Sequence, residues 1–227
     1  MELVQAILIY GLIVMMRGKN SMNGLLLKDF YTTKANIFVA FLSCIVMAIG
    51  LSVVISPSVV IILITIPLSM TVSSTIISDK KNKWTQFSVT LPVSKKQIIS
   101  SKYIAYLFWT IIGVIVGNLI CYIILAITNV SDTSINIFTG FSIIIALLSG
   151  SIIMPCNFIL PEEKSIIGTI LAYSLTSGFL ALSIFALNQI FNVRDNMTQT
   201  LIICSVISLI VFIISWIVSS NKIKNFN

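Results

Sequence analysis

Histidine is absent from this 227-residue chain, and charge of either sign is scarce, with 7 Asp and Glu against 14 Lys and Arg. Only 9% of residues are charged, where a soluble domain carries about 25%. Together with 57% hydrophobic residues and a mean hydropathy of +1.07, that excludes an ordinary soluble protein and indicates an integral membrane protein. The net charge of +7 sits between apolar segments, which points to membrane topology and not to nucleic acid. Cys44, Cys121, Cys156 and Cys204 all fall inside apolar runs, with no metal-ligand spacing and no histidine partner. They read as small buried residues, not as a disulfide framework or a metal site.

Catalytic motifs are missing too. Gly18–Lys19 has the look of the end of a phosphate-binding P-loop. That motif needs glycine at position 13 and Ser or Thr at 20, where this chain has Ile13 and Asn20. Glu162–Glu163 suggests a glutamate-type intramembrane protease, but no histidine exists to complete such a site. The chain reads as no enzyme by itself, with no cofactor or metal bound.

What is present is a series of long apolar runs. A hydrocarbon core about 30 Å thick takes roughly 20 apolar residues per helix. Six stretches qualify: 36–55, 58–78, 103–127, 135–160, 165–190 and 200–219. Backbone amides must be paired in lipid, so each span is expected to be helical. The runs are continuous and not alternating, which excludes a β-barrel. Basic residues set the orientation. All of the 14 except Arg194 fall on one side of the six spans, which makes that side cytoplasmic and puts both termini there. None of the spans carries Asp, Glu, Lys, Arg or His in its core, which argues against a proton-driven pump and against a voltage-gated channel. Gly113 and Gly117 form a GxxxG in the third span, a close-packing site either inside the subunit or at a dimer seam. Pro67 and Pro155 are expected to kink the second and fourth spans.

Residues 3–16 are apolar but short for a span. Three readings fit them: a signal peptide (although no small-residue cleavage site follows), an interfacial helix, or untranslated sequence before a true start at Met22. The chain is therefore divided into an N-terminal extension, 1–21, and a six-span domain, 22–227.

Six lysines fall between Lys80 and Lys102, in and around the one long polar stretch, "KWTQFSVTLPVSKKQIISSKY" at 83–103. Ser94 is followed three residues on by Gln97, a capping box, with Val93 and Ile98 placed as a hydrophobic staple. A helix should start after Ser94 and run into the third span. Upstream, Trp84, Phe87 and Leu91 recur at helical spacing, and Pro92 disfavours helix at Leu91. The stretch therefore reads as a helix, a sharp corner at 91–94 and a second helix. An interfacial aromatic belt explains Trp84 and Phe87 but not the capped corner.

This arrangement resembles the signature region of ABC-2 type permeases, the membrane subunits of small bacterial ABC exporters. Leu91, Pro92, Val93, Ser94, Ser101, Lys102 and Tyr103 match it. "MNGLLLKDFYTTKAN" resembles that family's N-terminal interfacial helix, with Lys28 and Asp29 in place, and favours Met22 as the start. "FILPEEKSIIGTI" is similar to the family's Glu-Lys before span five, on Glu163 and Lys164, although the glycine often preceding it is absent. The resemblance covers about residues 22 to 220. It implies an all-α, six-span permease in the bacterial cell membrane. A helical coupling loop would bear Trp84, Phe87, Leu91, Pro92, Val93 and Ser94 and dock on a separate cytoplasmic ABC ATPase that carries ATP and Mg. A second permease subunit, identical or a paralogue, is implied as well. Walls rich in Ile, Leu, Phe and Ser suit export of an amphipathic or lipophilic cargo such as an antimicrobial peptide, toxin or antibiotic. The rival readings are a non-transporting membrane anchor or immunity protein, and a secondary carrier, which would need ionisable groups inside the bilayer.

Overall fold

The computed structural model describes residues 25, 26, 28–30, 42, 46, 50, 56–82, 84, 94–129, 132, 134–189 and 196–222, and among them there are helices and no strands. Among the described residues five helices are long and apolar enough to cross a membrane: α1 (Val59–Lys81), α2 (Lys95–Thr128), α3 (Ile135–Ile159), α4 (Ser165–Asn188) and α5 (Met197–Lys222). A single 3-10 turn, Glu162–Lys164, joins α3 to α4. These correspond to five of the six expected spans. The remaining one, 36–55, lies outside the described residues apart from helical residues 42, 46 and 50. Residues 25, 26 and 28–30 are helical as well and precede it. The expected extension 1–21 lies outside the described residues.

α1 is the central helix. It packs against α2 on one side and α3 on another, so its buried residues cover more than half of its circumference. Its many hydroxyls are accommodated there because they bond back to their own helix: Thr65 Oγ1 donates to the Ile61 carbonyl (2.7 Å) and Ser69 Oγ to that of Thr65 (2.7 Å). Ser69 Oγ also reaches across, to Thr110 Oγ1 on α2 at 3.0 Å. The close approach that permits this comes from the GxxxG pair. A methyl at Gly113 would stand 2.9 Å from the Thr65 Cα, and one at Gly117 would stand 3.0 Å from the Ile61 Cα. Of the two roles open to this pair, the fold uses it within the subunit, between α1 and α2. Both helices that contain an internal proline, at Pro67 and Pro155, continue through it.

The other end of the bundle is tied by Asp132, just before α3. Its Oδ2 accepts from Ser56 Oγ (3.0 Å) and Ser58 Oγ (2.6 Å), and its Oδ1 from the Ser134 amide (2.9 Å) and hydroxyl. Burial alone would raise this carboxyl, but the hydrogen bonds from Ser134, Ser58 and Ser56 outweigh it and hold the group well below the usual carboxylate range. A depressed folded value means the stabilisation is complete above the unfolded value of about 3.9 and is lost as pH falls beneath it. Thermal unfolding in detergent should therefore separate wild type from Asp132→Asn at pH 6, and the gap should begin to narrow once the pH falls below about 4. A gap that stays constant with pH would mean that the carboxylate charge is not what ties the loops.

Candidate functional site

The Lys-rich end of the bundle, where α1 stops and α2 begins, holds the features that sequence patterning singled out. Ser94 has extended backbone (φ −75°, ψ 147°) and caps α2 in both directions. Its amide donates to Gln97 Oε1 at 2.9 Å, and the Gln97 amide donates to Ser94 Oγ at 3.3 Å. Caps of this kind contribute about 1 kcal/mol. From that cap α2 runs without a break for 34 residues. At 1.5 Å per residue this is about 51 Å, well beyond the hydrocarbon thickness of about 30 Å. The first turns of α2 therefore project past the membrane as a rigid continuation of the span.

Those first turns are gripped from two sides. Tyr103 stacks on Trp216 of α5 (6.1 Å, 8°), meets Phe212 edge-on (5.3 Å, 61°), and its hydroxyl lies 3.0 Å from both Ser215 and Ser219 Oγ. Trp216 Nε1 donates to Ser100 Oγ at 3.0 Å. Opposite this, Lys102 enters a ring of four charges. Its Nζ donates to Asp29 Oδ1 (2.6 Å), Asp79 Oδ2 (2.7 Å) and Thr75 Oγ1 (3.0 Å). Lys28 donates to the other oxygen of Asp79 and lies 3.8 Å from Asp29. Positive and negative groups alternate round the ring Lys28, Asp79, Lys102, Asp29, and none of the four is more than 8% exposed.

Burying one charge costs several kcal/mol, and a buried pair is tolerated only where its geometry and remaining hydrogen bonds are good. Alternation meets that condition, because every member has opposite charge on both sides and the sum is zero. Burial, and next the Lys102 ammonium, pulls the Lys28 ammonium below its usual value, while Asp79 and Asp29 pull the other way. Lys28 Nζ also lies 4.3 Å above the centre of the Trp84 ring, a cation–π contact that anchors residue 84 to the N-terminal segment. Phe30 of the same segment stacks on Trp109 of α2 (5.9 Å, 11°).

Of the expected docking residues, the structure describes two. Ser94 is exposed at the cap, and Trp84 is turned inward, 8% exposed under Lys28. Phe87, Leu91, Pro92 and Val93 lie outside the described residues. Glu163 and Lys164 are exposed on the turn between α3 and α4. Asp79 carried no expectation at all. The spans as read from hydropathy stop at Ser78 and resume at Tyr103, one residue short of Asp79 and Lys102. Helical periodicity would have placed both inside: Asp79 continues the buried face through Leu68, Val72 and Thr75, and Lys102 belongs to the face of Tyr106, Trp109 and Gly113. Among the described residues no group of three His, Cys, Asp or Glu side chains could hold a metal ion.

The model of the family described as "ABC-2 family transporter protein" matches residues 24–224. The chain belongs to the ABC-2 transporter family. No curated protein and no solved structure matches it. Membership fits what the helices show, a multi-pass membrane permease. It also places the charge ring in that context, because all four of its members lie within the matched region.

Proposed function

We propose that this ABC-2 permease is the membrane subunit of an ATP-driven exporter, powered by a separate cytoplasmic ABC ATPase that docks on residues 83–94. The observation that carries this reading is the unbroken course of α2 from the Ser94 capping box into the membrane. Force applied at the segment before Ser94 meets no hinge until it is inside the bilayer. The one-sided placement of 13 of the 14 basic residues supports a cytoplasmic Lys-rich end with both termini inside, in a bacterial cell membrane. ATP and Mg then belong to the partner chain, and a second permease subunit, identical or paralogous, completes the pathway.

The cargo suggested by the walls is amphipathic or lipophilic. A cavity of about 410 Å³ opens between α3, α4 and α5, lined by Leu148, Ile152, Leu175, Phe179, Leu182 and Val211. The hydroxyls along it are already used: Ser151, Ser174 and Thr176 donate to carbonyls of their own helices. What faces the cavity is therefore hydrocarbon, suited to an acyl chain or the apolar face of a peptide.

The test is affinity purification in mild detergent, wild type beside Leu91→Asp/Val93→Asp, with ATPase activity read in the eluate. Wild type should bring down an ATPase and the variant should lose it. If wild type carries no ATPase across several detergents, the transporter reading fails and a non-transporting membrane anchor takes its place.

A further inference from the structure

Asp79 and Lys80 are adjacent at the end of the central helix, yet their side chains reach opposite neighbours. Asp79 accepts from Lys28 and from Lys102 (2.7 Å), binding α1 to the N-terminal segment and to the start of α2. Lys80 Nζ donates to the Phe158 carbonyl (3.0 Å) and the Leu160 carbonyl (2.8 Å) at the end of α3. The last carbonyls of a helix have no donor within it, and they form the negative end of its dipole. Pro161 ends α3 here, with Leu160 forced into extended backbone (ψ 144°). An ammonium arriving from α1 thus caps α3 across the bundle. The last turn of α1, the most enclosed of the described helices, joins the two anchorages.

We propose that Asp79 and Lys80 make the end of α1 a two-way joint, through which displacement of the α2 start and the N-terminal segment is passed to the corner between α3 and α4. Both are positioning residues. Asp79 senses where α2 and the N-terminal segment stand, and Lys80 sets where the Pro161–Lys164 corner stands. α4 begins directly after that corner and lines the cavity above it, so the joint connects the Lys-rich end to the apolar cavity wall. The proposal rests on the ATP-driven reading only for what drives the movement.

Hydrogen–deuterium exchange on the purified chain in lipid nanodiscs tests the joint without any ATPase. Two sets of amides report on its two sides. Gln97 and Ile98 donate to the Ser94 carbonyl at the α2 start, while Leu160 donates to Cys156 and Lys164 to Pro161 at the corner. Lys80→Met should speed exchange of the corner amides by roughly tenfold or more, and Lys80→Arg, whose guanidinium can reach both carbonyls, should restore the wild-type rate. The deciding variant is Asp79→Asn/Lys102→Met, which removes one positive and one negative charge and touches nothing at the corner. It should speed the α2-start amides and the corner amides together. Amides at the far end, where Ile137 and Phe138 donate to Ser134, should keep their wild-type rates.

Corner protection unchanged in the double variant overturns the joint, even if Lys80→Met behaves as a lost cap. A uniform rise that includes the far-end amides overturns it as well, since that is global loosening. Failure of the ATP-driven reading would show separately, as an empty pulldown with these exchange patterns intact.

Discussion

Lys102→Met should be among the most damaging single substitutions in the chain, removing about 3–5 kcal/mol of stability. The substitution leaves Asp29 and Asp79 buried with Lys28 as their one remaining ring cation, a net negative charge with no water to screen it. Methionine fills the volume, so packing is not what is lost. Folded proteins commonly hold only 5–15 kcal/mol in reserve, and a loss of this size should show as poor recovery of monodisperse protein in detergent. Asp79→Asn should be nearly as harmful for the mirror reason, two cations against one anion. Combining the two is expected to be milder than either alone, because neutrality returns. Unfolding in mixed micelles by increasing SDS would measure all three. If the double variant loses as much as the sum of the singles, alternation of charge is not what holds the ring.

Gly113→Leu/Gly117→Leu should separate α1 from α2. The obstacles to a side chain at these positions are the main-chain atoms of Thr65 and Ile61, which cannot rotate aside as a side-chain tip could. Overpacking typically costs 1–3 kcal/mol per site where neighbours can shift, and these cannot. The Ser69–Thr110 hydrogen bond lies one turn away and would part with the seam. Even the single Gly113→Ala should lower the unfolding midpoint. Gly178→Ala on α4 is the control, since nothing lies within 4 Å of its added methyl. There the better helix propensity of alanine, worth up to about 1 kcal/mol, should leave stability unchanged or raised. Equal effects at 113 and 178 would show that backbone approach is not what the GxxxG provides.

Much of this architecture was legible beforehand, for reasons that can be assigned to particular residues. Apolar run length located the five described spans, since lipid demands internally bonded helices of a minimum length. The Ser94–Gln97 box was readable because capping is local: donor and acceptor sit three residues apart whatever the rest of the chain does. The partner of Gly113 and Gly117 was not readable, because spacing gives a face and not the helix that meets it. The charge ring was missed for a different reason. Lys102, Lys28 and Asp29 stand in motifs of family resemblance, but charges near the ends of spans read in sequence as signs of topology. Three separate stretches of chain supply the four members, and only the fold shows that their charges cancel. Asp79, surrounded in sequence by Lys80, Lys81 and Lys83, gave no sign of pairing with residues 23 and 51 positions away. The binding of Lys80 to the end of α3 is likewise a contact across 78 residues of sequence.

α4 has the opposite circumstances to α1. Its buried residues are Ser165, Gly168, Ala172 and Thr176, one narrow line of small side chains, with Gly168 set beside Cys156 and Leu160. Ile166, Ile167, Ile170 and Leu171 are each more than half exposed on the surface of the subunit. In a bilayer such a seam gains nothing from hydrophobicity, because lipid tails are as apolar as leucine. Its 24 residues span about 36 Å, a few ångströms more than the average hydrocarbon layer, and a helix in that position adjusts by tilting. Acyl-chain length therefore becomes a variable of this permease's geometry. A thinner or thicker bilayer acts on α4 first, and through it on the cavity, while α1 is screened from the lipid by its neighbours.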